Sequence, residues 1–207
     1  AQDETPGLHR YMPNAGLADV RAVIAESLSP ECKVELSAND IVMVCGAAGG
    51  INIALKALLD PGDEVVIFTP YFVEYLFYAD NHGGKAVAVP TLDDFHLDFS
   101  AFKKALNERT KAVIINSPNN PTGVVYTRQE LQELGNILKA HSDRLGKAVT
   151  LISDDPYKKI VFDGVEVPNI MEFYDHSIYI TSHSKDIALP GERIGFLAVH
   201  PRCEDAG

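Results

Sequence analysis

The sequence has no tryptophan, three cysteines, and no apolar run near the ~20 residues that a membrane-spanning helix requires. Cys32, Cys45 and Cys203 are far apart and odd in number, and no CxxC pair occurs. That excludes a disulfide framework and a CxxC metal or redox motif. It leads to an expectation of reduced thiols in a cytoplasmic protein. Basic residues are the scarcer charge, with 18 Lys and Arg against 29 Asp and Glu and a formal net charge of -11. Binding to nucleic acid or an anionic membrane needs clustered cations, so neither is an expected partner. An anionic small ligand stays open, because a few placed cations can dominate one pocket. The opening residues AQDETPG do not read as a signal peptide, and the chain lacks an initiator Met, so a fragment is expected.

Apolar residues make up 46% of the 207, enough for a sizeable core, and charged residues 23%, as in ordinary soluble globular domains. Strand-length apolar runs alternate with longer helical patterns. Strands are expected at 40–47, 63–68, 85–90, 111–117, 148–154, 177–182 and 193–199. Helices are expected at 49–60, 73–83, 98–108 and 127–142, the third capped by Ser100 and the last opened by Thr127. Continuous β-branched runs suit strands buried on both faces, and strand–helix alternation suits a mostly parallel sheet with right-handed crossovers. The expected fold is α/β. Ligands of such sheets bind beyond the carboxyl ends of the strands, so the residues after each strand are the candidates.

GAAGG follows the first strand. Small residues before a helix let a phosphate approach free N–H groups, here at Gly46, Ala47 and Ala48, although tight helix–sheet packing explains them equally well. Neither a P-loop nor a dinucleotide fingerprint is present. TPYFVEY follows the second strand, where Tyr71, Phe72 and Tyr75 offer stacking faces or ordinary core packing. SPNNPTG follows the fourth, a rigid turn in which Asn120 can hold a polar atom or simply close an Asx-turn. SDDPY follows the fifth, with Asp154 either a carboxylate for a buried cation or a helix N-cap ahead of Pro156. SHSK follows the sixth. A lysine there is usually a solvated charge, but desolvation and neighbouring cations would make its amine a nucleophile.

Together these stretches resemble the fold type I pyridoxal-phosphate-dependent aminotransferases, class I/II and aspartate aminotransferase-like. HRYMPNAGLADVR, LLDPGDEVVIFTPYF, SPNNPTG, ISDDPY and SHSKDIALPGERIGF match that family's motifs in order and spacing, over nearly the whole chain. The resemblance implies a three-layer α/β/α large domain with a seven-stranded sheet whose last strand is antiparallel. It implies pyridoxal 5'-phosphate as cofactor and transfer of an amino group between an amino acid and a 2-keto acid. Lys185 would form the Schiff base and carry the proton. Asp154 would pair with the pyridine nitrogen. Asn120 and Tyr157 would bind the phenolic oxygen, and Phe72 would stack on the ring. Ser182, Arg193 and the Gly46, Ala47 and Ala48 turn would hold the phosphate, with Ser184 among the cofactor's contacts. Tyr11 would reach the partner's phosphate across a homodimer. No metal is expected.

The chain departs from the family in places. GAAGG lacks a Ser, Thr or Lys common in relatives. Asp155 and Pro156 stand where Glu and an aliphatic residue are usual, Phe72 where Trp or Tyr is, and His183 between the serines is expected to be structural. The resemblance also divides the chain into an N-terminal segment (1–14), a cofactor-binding large domain (15–200) and a truncated lead (201–207) into a missing small domain. That domain would supply an arginine for the substrate carboxylate, so little activity is expected of this piece alone. Two alternatives stay open. One is a pyridoxal-phosphate-dependent carbon–sulfur lyase or cyclising relative, and the other a non-catalytic cofactor- or partner-binding regulatory domain.

Overall fold

Every strand-length apolar run becomes a strand of one sheet in the computed structural model, which describes residues 10–203. The strands are β1 (Ile41–Cys45), β2 (Glu64–Thr69), β3 (Lys85–Pro90), β4 (Thr110–Asn116), β5 (Thr150–Asp154), β6 (Ser177–Ser182) and β7 (Ile194–Val199). Their order is β1-β7-β6-β5-β4-β2-β3. The pairs β2–β3, β2–β4, β4–β5 and β5–β6 are parallel, and β7 runs antiparallel to both of its neighbours. The expected α/β architecture with an antiparallel last strand is therefore found. The expected segment at 1–14 is described only from Arg10 and that at 201–207 only to Cys203. Residues 1–9 and 204–207 lie outside the described residues.

The helices are α1 (Ala18–Cys32), α2 (Gly46–Leu58), α3 (Glu74–Asp80), α4 (Phe99–Ala105), α5 (Arg128–Leu145) and the short α6 (His183–Asp186). Both faces of the sheet are covered. Val65, Ile67, Ile114, Ile152 and Ile180 pack with residues of α2 and α3 on one face. Val66, Phe68, Val113, Ile115 and Leu151 pack with α4 and α5 on the other. Beyond them, Ala25, Leu28 and Cys32 of α1 pack against Tyr179, Phe196 and Ala198. Burying each such aliphatic side chain contributes about 1.5–3 kcal/mol.

Two helix starts differ from expectation. The helix expected from residue 49 begins at Gly46, so GAAGG is its first turn rather than a loop before it. The cap of α4 is Asp98, whose side chain accepts from the Ala101 N–H, and not Ser100, which lies inside the helix. Asp98 stands one residue before the helical backbone begins, the place from which a side-chain oxygen can reach the free N–H groups. Thr127 does open α5, in a capping box with Glu130.

Candidate active site

Period-two alternation along the central strands sets the site. Ile114, Ile152 and Ile180 share one buried face, and two residues later that face carries Asn116, Asp154 and Ser182 at the carboxyl ends. The N-terminus of α2 sits on the same face. These residues line a cavity of about 340 Å³ together with Ala47, Ala48, Phe72, Asn120, Tyr157, Ser184, Lys185 and Arg193. The structure thus brings together all the expected site residues except Gly46, which adjoins the cavity beneath Arg193, and Tyr11, which is fully exposed outside it. Volume alone would not have located the site. A groove beside α5 is larger, at about 660 Å³, but its lining residues His96, Glu130 and Gln129 include none of the strand-end set.

Asp154 is 7% exposed. Its Oδ2 accepts a hydrogen bond from the Tyr75 hydroxyl at 2.6 Å. Its Oδ1 is buried with no partner among the described residues. Burial pushes the carboxyl up to about 6, and the Tyr75 bond pulls the other way. Tyr75 is itself raised well above its ordinary value, by burial first and the Asp154 charge second, so it remains a protonated donor. Of the two readings of Tyr75, a stacking face or core packing, its 2% exposure and place in the core fit the second, and its hydroxyl serves the carboxylate. Phe72 keeps a partly exposed face and meets Tyr75 edge-on, with ring centroids 5.7 Å apart. The alternative of Asp154 as a helix N-cap is not realised, since 156–159 form a turn.

Tyr157 lies on that turn, with its hydroxyl paired to the Asn120 side chain. Burial and the Asp154 charge raise it, so it too remains a donor. Asn116, outside the expected set, donates from Nδ2 to the Asp154 carbonyl at 2.6 Å and accepts the Asn120 N–H at Oδ1, also at 2.6 Å. The SPNNPTG turn is further closed by the Asn119 side chain, which accepts from the Thr122 N–H and hydroxyl. Cis peptide bonds precede Pro118 and Pro121.

Lys185 stands on α6 with its Nζ 5.9 Å from the centre of the Tyr157 ring. It is exposed, so the described chain does not supply the desolvation considered for it. Ser182 is buried and its side chain caps nothing. Arg193 is exposed in the left-handed conformation, φ 53°, and its Nη1 donates to the Pro190 carbonyl at 3.0 Å. Gly46 has φ +71°, and a Cβ there would lie 2.6 Å from Arg193 Nη2. A Cβ on Gly195 would lie 2.6 Å from the Thr181 carbonyl. Only glycine at both positions lets β7 bring the guanidinium over the first turn of α2. That juxtaposition of guanidinium, free helix N–H groups and a buried hydroxyl is suited to an anion. His183 pairs with Asp186 at 3.0 Å.

The chemistry is therefore polarised. One end of the cavity offers an anion seat. The other offers a buried carboxylate with a free oxygen. Between them lie an amine, an aromatic face and two hydrogen-bonding side chains.

Relatives carry the same arrangement of chain. "Aspartate aminotransferase" of Bacillus subtilis is 35% identical over 198 residues, covering 93% of this chain and 49% of that protein. "Probable aspartate aminotransferase" of Methanocaldococcus jannaschii is 33% identical over 193 residues, covering 93% and 50%. Among solved structures, an amino transferase from Eubacterium rectale superposes with a TM-score of 0.95 at 37% identity, covering 99% of this chain and 52% of that one. Aspartate aminotransferase from Thermus thermophilus with maleate gives 0.85 at 31%, covering 92% and 49%. The chain thus spans about half the length of these relatives. The family model for aminotransferase class I and II matches residues 1–206, and the chain belongs to that family.

Proposed function

We propose that the intact protein is a pyridoxal 5'-phosphate-dependent aminotransferase moving an amino group between an amino acid and a 2-keto acid, and that this chain is its cofactor-binding part. The observation that carries the reading is the buried Oδ1 of Asp154, without a partner among the described residues, at one end of a cavity whose other end is an anion seat. A protonated pyridine nitrogen satisfies that oxygen, and a phosphate satisfies the seat. The residues present fit the group.

In this reading Asp154 holds the ring nitrogen's proton. Tyr157 and Asn120 donate to the phenolic oxygen, and Phe72 covers a ring face. Arg193 and Ser182 hold the phosphate with the first turn of α2, where Ala47 and Ala48 leave the contact to backbone N–H groups. Ser184 completes the wall beside it. When bound, the cofactor supplies an electron sink for charge developing at the substrate α-carbon. Lys185 would hold it through Nζ, and the same amine would take the α-proton and return a proton, as general base and then acid. Tyr11, fully exposed here, reaches the partner's phosphate in a homodimer. The absence of a disulfide at Cys32, Cys45 and Cys203 suits a cytoplasmic enzyme; no described helix is long and apolar enough to cross a membrane.

The test is an absorption spectrum of the intact protein with added pyridoxal phosphate, before and after borohydride, with Lys185→Ala alongside. The expected result is a visible band that borohydride fixes onto Lys185 and that the variant lacks. A folded wild type without the band, or a variant that keeps it, would overturn the reading. Turnover of an amino acid that requires a 2-keto acid separates transamination from carbon–sulfur lysis.

A further inference from the structure

We propose that Asn116 is a positioning residue that sets two cofactor contacts at once, by tying the backbone of Asp154 to the backbone of Asn120. The inference rests on the site reading above and adds to it a residue that does not itself supply a ring contact there.

Asn116 and Asp154 are the last paired residues of the β4–β5 ladder. Beyond them the strands part, β4 into SPNNPTG and β5 into DPY. A parallel ladder holds its strands by backbone bonds, and those bonds end here. The Asn116 side chain takes over. Its Nδ2 donates to the Asp154 carbonyl at 2.6 Å. Its Oδ1 accepts the Asn120 N–H at 2.6 Å. The side chain is buried, at 3% exposure for the residue, so water does not replace either bond readily.

The job constrains the residue. One planar group on a short stem must present a donor to β5 and an acceptor to the turn. A carboxamide does both, an ionised carboxylate cannot donate, and a hydroxyl is too short to span both partners. Asp154 addresses the ring nitrogen and Asn120 the phenolic oxygen. A shift at Asn116 therefore moves two groups that set the electronics of one ring, in concert.

The experiment uses the intact protein, with pyridoxal phosphate as the probe. Asn116→Ala removes both bonds. Asn116→Asp keeps the shape and the acceptor but turns the donor into an acceptor facing the Asp154 carbonyl, and it carries the test if the alanine variant does not fold. Val113→Ala, buried in the same strand on the opposite face, controls for lost stability. The readouts are the dissociation constant for the cofactor and the pH at which the visible band changes. The expected result is a tenfold or greater weakening and a displaced pH midpoint in the Asn116 variants, with neither change in Val113→Ala at a matched drop in Tm. If the wild type binds and the Asn116 variants behave as Val113→Ala does, the inference is overturned and the site reading stands. If the wild type takes up no cofactor, the site reading fails and the inference falls with it.

Discussion

The Tyr75 hydroxyl donates to Oδ2 of Asp154 at 2.6 Å, while Oδ1 of the same buried carboxylate has no partner among the described residues. One oxygen is thus spent on the protein and one is reserved. The bond also opposes the burial that raises Asp154 to about 6. Without it, the carboxyl would titrate higher still and be less ionised near neutral pH.

Tyr75→Phe is therefore expected to weaken pyridoxal phosphate binding by roughly ten- to a hundredfold near pH 7, the ~1.5–3 kcal/mol of one hydrogen bond to a charged group. The loss should shrink as the pH rises and Asp154 ionises in both proteins. Cofactor affinity measured across pH 6 to 9 checks this. A deficit that does not change with pH would assign Tyr75 to packing alone.

Gly46→Ala carries a different expectation. The left-handed backbone at φ +71° disfavours any Cβ by about 1–2 kcal/mol, and this Cβ would lie 2.6 Å from Arg193 Nη2. The guanidinium tip can swing away, so the fold should survive with a modest drop in Tm. Swinging away removes the cation from the anion seat. Cofactor affinity should fall at least tenfold, and binding of inorganic phosphate to the same seat should fall with it. Equilibrium dialysis of both ligands decides the point. A lower Tm with unchanged affinities would show that Arg193 does not serve the phosphate.

The strands and the residues at their ends were legible because buried parallel strands are written as unbroken β-branched runs, such as Val113, Ile114 and Ile115. What followed from register was not. Asn116 belonged on the site face by its spacing from Ile114, yet it counted as the end of a strand rather than as a site residue. The role of Tyr75 depends on a partner 79 residues away, which no local pattern reveals. Helix α1 left no clean stripe, because Val20 and Val23 are exposed while Ala25 and Leu28 are buried, and Pro30 sits in its last turn. The start of α2 looked like a loop, since glycine disfavours helix. It is helical because β7 and the sheet close over it.

Asp155 offers a prediction about stability. Its side chain continues the face opposite the site, accepts from the Ser153 hydroxyl at 2.6 Å, and is 2% exposed. Burial pushes it up to about 7, against the Ser153 bond and the Lys158 charge, with the Asp154 charge adding to the rise. A carboxyl whose folded value is raised binds more protons in the folded chain than in the unfolded one. Its contribution is full below the ordinary value near 4 and is lost as the pH climbs through about 7. Asp154 acts with the same sign up to about 6 while the cofactor is absent. Glu64, Glu130 and Glu172 are lowered instead, so their contributions disappear only as the pH falls below the ordinary carboxylate range. Between pH 5 and 8 the two aspartates act against His200, whose buried imidazole is lowered and so favours folding as the pH rises; with two groups set against one, the cofactor-free protein should lose stability as the pH rises. Asp155→Asn keeps an acceptor for Ser153 and carries no charge to bury. It should raise stability at pH 8 by roughly 1–3 kcal/mol more than at pH 5, seen as a larger rise in Tm. Thermal unfolding of both proteins at the two pH values measures the difference. An equal gain at both would trace the effect to packing, because only the ionised form of Asp155 is costly to hold between Ser153 and the sheet.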